Sequence, residues 1–201
     1  MEKKSSKMSV FQLVLIATFL SIIILQSFIP FLGNIPLFVL DITIIHITVI
    51  LGAIILGPRA GLILGTAWGI CSFIRAFTSG SAISLLVFTN PVIAILPRMA
   101  VGFLSGLVYQ ALAKTKIRPS LSMALVGAFG SLFNTITVLS LIYFIVGPQY
   151  AQQIGSSIDM LPGILMTLVG TNGVPEAIAA FIIVPIIGNV LMQLMKNRTR
   201  K

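Results

Sequence analysis

Apolar residues fill most of residues 10–194 in blocks of about twenty, parted only by short turn-forming or basic segments. A bilayer core of ~30 Å is crossed by about 20 residues of helix rising 1.5 Å each, so blocks of this size read as transmembrane helices. The charged fraction is 8%, against about 25% in soluble domains. The chain is therefore read as an all-α integral membrane protein.

Six spans can be drawn. The first is 10–29, behind a basic tail with Lys3, Lys4 and Lys7 and ending at Pro30. It is too long for a signal-peptide core and lacks a clean small-x-small cleavage site after it. Residues 41–76 are apolar but broken at Gly57, Pro58, Arg59 and Ala60, a turn-forming sequence that splits them into two rather short helices, spans two and three. Residues 91–113 form the fourth and 121–146 the fifth, joined by the basic connection 114–119. Residues 160–194 are too long for one span. Asn172 can cap a helix there, with Pro175 in its first turn, so the sixth span starts at Asn172 and residues 161–170 become an interfacial or re-entrant piece.

The formal charge of +9 does not indicate nucleic-acid binding, because most basic residues cluster between apolar runs, as at a membrane surface. With the N-terminus inside, Lys3, Lys4, Lys7, Arg59, Lys114, Lys116, Arg118, Lys196, Arg198, Arg200 and Lys201 all fall on the cytoplasmic side, while the outer connections near 30–41, 77–90 and 147–171 have no lysine or arginine. Both termini are thus expected to be cytoplasmic. The expected organisation is a basic tail (1–9), one six-helix domain (10–195) and a second basic tail (196–201), with no soluble domain.

Two arginines escape the cytoplasmic pattern, and a charge in hydrocarbon costs at least ~2.5 kcal/mol unless it is paired, hydrated or able to snorkel. Arg98 lies seven positions into the fourth span, and Arg75 lies at the outer end of the third. Glu176 follows Asn172 by four residues, so the two project from one helix face, and Asn134 is near the middle of the fifth span. Four helices thus bring polar groups to the outer half of the membrane, with no comparable residues toward the cytoplasmic half. This reads as an outward-facing substrate pocket. Arg75 and Arg98 against Glu176 leave one positive charge for a monoanionic ligand, and Asp41 near the outer surface offers a neutral set instead.

Each residue has a structural alternative. Arg75 can snorkel to headgroups, Arg98 can pair with Glu176 alone, Asn134 can be interhelical glue, and Trp68, seven residues before Arg75 on one face, can be a packing or interfacial tryptophan. Lone His46 and lone Cys71 fit packing roles; a single cysteine rules out an internal disulfide framework. Catalysis is not expected. No phosphate-binding Gly-x-x-x-x-Gly-Lys-Ser/Thr occurs, since no glycine precedes a lysine, and His-Glu-x-x-His, Gly-x-Ser-x-Gly and paired acidic clusters are also missing. No metal or other cofactor is expected either. In the first span Ala17 and Ser21 form a small-x-x-x-small pair that lets another helix approach, and Gly65, Gly69, Gly102 and Gly106 suit close packing within the protein.

Residues 45–53 running into Leu56-Gly57-Pro58-Arg59-Ala60-Gly61, then Leu96-Pro97-Arg98, Phe133-Asn134-Thr135 and Thr171-Asn172-Gly173-Val174-Pro175-Glu176-Ala177, resemble the substrate-binding S component of energy-coupling factor (ECF) vitamin transporters, over nearly the whole chain. The last three pieces look most like the pantothenate-type branch. The resemblance implies a vitamin-binding subunit that joins a transmembrane coupling protein and two cytoplasmic ATPases in the cell membrane and topples to deliver its ligand. It implies that the first helix docks through an Ala-x-x-x-Ala motif, here Ala17 and Ser21, and that outer loops close over the ligand, which assigns 31–37 and the connection around Thr89 and Asn90 to lid or pocket wall. For pantothenate, Arg98 would take the carboxylate, and Asn134, Asn172 and Glu176 the hydroxyl and amide groups. A neutral vitamin such as pyridoxine or a hydroxymethylpyrimidine would need the arginines balanced by Glu176 and Asp41, with Trp68 or a phenylalanine stacking on its ring. Outside the family, a small secondary transporter is the alternative.

Overall fold

The computed structural model describes residues 10–29, 32–37, 40–79 and 81–199. The helices are α1 (Val10–Phe28), α2 (Ile45–Leu56), α3 (Pro58–Ser79), α4 (Ala82–Phe88), α5 (Pro91–Leu112), α6 (Pro119–Gln153), α7 (Leu161–Leu168) and α8 (Val174–Thr199), with a π-helical turn (Val169–Gly173) joining the last two. Five stretches are long and apolar enough to cross a membrane: Val10–Phe28, Pro58–Thr78, Pro91–Leu112, Pro119–Gln153 and Leu161–Asn197. Helix α2 has 12 residues, roughly 18 Å of helix, well short of the bilayer core.

The expected break in 41–76 falls between α2 and α3. Gly57 caps α2 at φ 90°, a backbone conformation that costs glycine nothing because it has no Cβ. Pro58 then opens α3 at the one place where a missing N–H leaves no helical bond unmade. Helix α2 can be short because it is central. Ten of its twelve residues are buried, and it touches α1, α3, α5, α6 and α8.

Along the α3 and α5 interface, backbone lies on backbone. A Cβ on Gly61 would strike the carbonyl of Gly102, one on Gly102 would strike that of Gly61, and one on Gly65 would strike that of Arg98. Gly69 meets Ala94 and Ile95, and Gly106 meets Pro58. Gly65, Gly69, Gly102 and Gly106 are the glycines expected to serve internal packing, Gly61 joins them, and Gly65 seats directly on the backbone of Arg98.

Four features depart from the sequence reading. The fold is not wholly α: β1 (Asn34–Leu37) and β2 (Leu40–Thr43) pair antiparallel, Asn34 opposite Thr43, and Ile44 donates its N–H to the Gly33 carbonyl to extend the hairpin. The connection between α3 and α5 holds α4, whose first turn is capped by the Ser81 hydroxyl accepting from the Ser84 N–H. Helix α6 runs past Val146 to Gln153, but residue 146 has non-helical φ −126° and ψ 16°, two residues before Pro148, so the regular helix does end where the fifth span was expected to. Asn172 does not cap a helix. It lies inside the π turn, in which the Val174 N–H reaches back five residues to the Val169 carbonyl. Pro175 explains the turn: without an N–H it leaves the Thr171 carbonyl without its α-helical donor, and the wider turn absorbs the defect.

Buried apolar side chains form two clusters. The larger joins α1, α2, α3, the later part of α5, the first part of α6, and α8, and includes Ile50, Leu64, Trp68, Val126 and Val184. The smaller joins α4, the start of α5, the far end of α6 and α7, through Val87, Ile93, Val138, Ile142 and Leu161.

Candidate functional site

Arg98 lies where the two clusters meet, and its position starts from the residue before it. In a regular helix the Ile93 carbonyl would accept the N–H of residue 97, but that residue is proline and has none. Arg98 fills the gap: its Nη1 donates to the Ile93 carbonyl oxygen at 2.7 Å. The side chain therefore runs back toward the start of α5, the direction in which helical side chains lean. There the guanidinium lies against two rings, with its central carbon 4.7 Å from the centroid of Phe88 and 5.3 Å from that of Trp68. Only 6% of the residue is exposed. A buried cation held this way is stabilised by the two ring quadrupoles, each by about 0.5–2 kcal/mol.

Glu176 is buried at the start of α8. Its Oε1 accepts the Thr43 backbone N–H at 2.7 Å, tying the hairpin to the last helix across 133 positions of sequence. Arg98 and Glu176 attract each other electrostatically, yet they form no direct ion pair: each is anchored to backbone instead. A self-contained Arg98 to Glu176 pair is therefore not what buries these charges.

Asn134 on α6 is also buried, and its Oδ1 has no hydrogen-bond partner; the same is true of the Arg98 Nε. A buried polar atom left unmatched costs about 1–3 kcal/mol, so a donor and an acceptor held unmatched in one protein invite a ligand that supplies both complements. Asn172 is half-buried in the π turn, beside Gly173, which lies so close on Thr135 that a Cβ there would meet its side chain. This contact brings the π turn to the part of α6 that carries Asn134.

The other expected site residues are placed differently. Trp68 is buried in the core and also faces Arg98, so the packing and pocket readings both apply. Arg75 is half-buried near the far end of α3. Asn90 uses its Oδ1 to cap α5, accepting the Val92 N–H at 3.0 Å. Phe31 and the side chain of Asp41 lie outside the described residues. Ala17 and Ser21 are exposed on α1, and the Ser21 hydroxyl donates to the Ala17 carbonyl at 3.0 Å.

Sequence reasoning missed Phe88, Thr43 and two serines. Phe88 was one apolar residue in an outer connection, and Thr43 contributes only its backbone. Ser131, one turn from Asn134 on α6, and Ser105, two turns past Arg98 on α5, are buried with hydroxyls that have no partner. Buried polarity among the described residues thus extends beyond the expected site residues, one turn from Asn134 and two turns from Arg98.

A chain with five bilayer-length apolar helical stretches that buries Arg98, Glu176 and Asn134 is a multi-pass membrane protein with polar groups in its interior. Residues 11–188 match the family model described as ECF transporter, substrate-specific component, and the chain belongs to that family. It is 34% identical over 192 residues to the pantothenate transporter PanT of Leuconostoc mesenteroides subsp. mesenteroides, covering 92% of this chain and 94% of the relative. To the pantothenic acid transporter PanT of Lactococcus lactis subsp. cremoris it is 32% identical over 209 residues, covering 96% and 99%. A solved structure of the S component of a bacterial ECF transporter shares its fold, with a TM-score of 0.55 at 20% identity over 95% of this chain and 98% of that one.

Proposed function

We propose that this chain is the pantothenate-binding S component of an ECF transporter, and that Arg98, Asn134, Asn172 and Glu176 form its ligand site. The observation that carries this reading is that Arg98 Nε and Asn134 Oδ1 are among the buried polar atoms left unmatched, in a chain about one-third identical to two proteins named as pantothenate transporters. Pantothenate offers a carboxylate acceptor for the guanidinium and hydroxyl and amide donors for the asparagine and glutamate. Trp68 and Phe88 form the wall against which the guanidinium lies, while Arg75 and the turn at Asn90 border the site.

An aromatic vitamin is less well served. The rings on which pyridoxine or a hydroxymethylpyrimidine would stack, Trp68 and Phe88, each already hold the Arg98 guanidinium. The site opens to the extracellular side, both termini are cytoplasmic by the distribution of lysine and arginine, and α2 serves as a short second span, giving six in a single domain over 10–195 between two basic tails. Transport is ATP-driven by partners: a transmembrane coupling protein that meets α1 at Ala17 and Ser21, and two cytoplasmic ATPases that hydrolyse the nucleotide. The Ser21 hydroxyl is satisfied within its own helix, so this face is smooth and free of unmatched donors, as close helix contact requires.

The test is calorimetric titration of the detergent-purified full chain with pantothenate, its alcohol analogue pantothenol, pyridoxine and a hydroxymethylpyrimidine. Tight binding of pantothenate alone is the expected result. Preference for pyridoxine or the pyrimidine, or binding of none of the four, would overturn the assignment.

A further inference from the structure

Phe88 belongs to no motif in the sequence, and α4, which carries it, is only seven residues long. Its surroundings are nevertheless tightly fixed. Val87 beside it is buried in the smaller apolar cluster with Ile93. The Thr89 hydroxyl donates to the Leu85 carbonyl at 2.6 Å, the Asn90 N–H donates to the Val87 carbonyl, and the Asn90 side chain caps α5 in the next turn. These contacts fix the backbone around residue 88, and its ring lies over the guanidinium of Arg98, 4.7 Å from the central carbon, with Trp68 at 5.3 Å. Meanwhile Nη1 is committed to the Ile93 carbonyl and Nε is buried without a partner. A cation lying close to two rings and tethered at one nitrogen has little freedom to turn, which narrows the directions in which its in-plane Nε–H can donate.

We infer that Phe88 is the positioning residue that orients the Arg98 guanidinium for in-plane recognition of a carboxylate, so that this short helix outside the membrane-length spans sets discrimination between an acid and its neutral analogue. The inference rests on the reading of Arg98 as the carboxylate-binding residue. An aliphatic side chain of similar bulk at position 88 fills the volume but has no quadrupole to hold the cation.

The experiment uses the purified full chain carrying Phe88→Leu, Phe88→Met or Phe88→Tyr, with Arg98→Met as reference, and two measurements. The first needs no ligand. Trp68 is the only tryptophan, so its fluorescence reports the group lying on its ring. Phe88→Leu and Phe88→Met should move the emission toward that of Arg98→Met, and Phe88→Tyr should leave it as in the parent. The second compares affinities for pantothenate and pantothenol: the aliphatic variants should lose about tenfold in pantothenate affinity with pantothenol affinity little changed, and Phe88→Tyr should retain the preference. Parental Trp68 emission in both aliphatic variants, or an equal loss for both ligands, would overturn the inference. If the parent chain binds neither ligand, the ligand assignment falls and the discrimination role falls with it, whereas a parent that binds pantothenate with emission unmoved by Phe88→Leu and Phe88→Met overturns the positioning role alone.

Discussion

Arg98 donates from Nη1 to the carbonyl oxygen of Ile93 at 2.7 Å, an acceptor that is free because Pro97 cannot use it. The proline and the arginine next to it thus act as one device, the first creating the backbone vacancy that the second occupies. Pro97→Ala would restore a helical N–H to compete for Ile93. The ligand-free protein should become more stable, since proline in a helix interior costs up to about 3 kcal/mol, while ligand affinity falls about tenfold as the guanidinium loses its tether. Thermal unfolding and titration of the same preparation check both halves, and a stabilised variant with parental affinity would show that the tether does not matter.

Replacing Arg98 by lysine keeps the charge but loses the flat surface that lies against Phe88 and Trp68 and the second nitrogen needed for simultaneous contact with backbone and ligand. Loss of a buried charged partner costs about 2–5 kcal/mol, or at least roughly thirtyfold in dissociation constant. Arg98→Lys is therefore expected to bind pantothenate nearly as poorly as Arg98→Ala. Calorimetry that finds the lysine variant close to the parent would remove the planar geometry from the mechanism.

Asn134 separates a binding role from a packing one. Its Oδ1 is buried and unmatched, so Asn134→Leu should raise the stability of the ligand-free protein by about 1 kcal/mol and weaken binding at the same time. Interhelical glue would behave oppositely, losing stability on substitution. Differential scanning calorimetry without ligand distinguishes the two.

The link from Glu176 to the Thr43 backbone is a charge-assisted bond of about 1.5–3 kcal/mol. Glu176→Gln leaves an acceptor in place without the charge, so the bond should weaken by about 1 kcal/mol. Hydrogen exchange followed by mass spectrometry should show faster exchange at the Thr43 amide in the variant, and an unchanged rate would mean that the hairpin is held by other contacts.

Ala17→Trp on the exposed face of α1 should leave pantothenate binding intact and abolish ATP-driven uptake in vesicles containing the coupling protein and ATPases. Full uptake by that variant would remove this face from the partner interface.

Membrane-length helices were legible in the sequence because hydropathy and span length are local properties, as was the break at Gly57 and Pro58. Arg98, Glu176 and Asn134 stood out because a polar group in an apolar run needs a reason to be there. The hairpin was hidden: its strands are four residues each and sit in a segment with no alternating pattern. Asn172 was misread as a cap because Asn followed by Pro at the third position looks like a helix start, whereas Pro175 acts here on a helix already under way. Phe88 and the Thr43 N–H could not have been found, since an aromatic residue among apolar ones and a backbone amide carry no signal until the chain is folded.

The close seating of α3 on α5 has a mechanical consequence. Gly61, Gly65 and Gly102 let carbonyl groups of each helix rest against the other, so sliding or rolling one over its partner would drive backbone into backbone. The two helices behave as a single stiff plank with Arg98 and Trp68 fastened to it. An opening that admits a ligand is therefore expected to come from what surrounds the plank, and the hairpin, tied to α8 by the bond from Thr43 to Glu176, is the lightest piece to move.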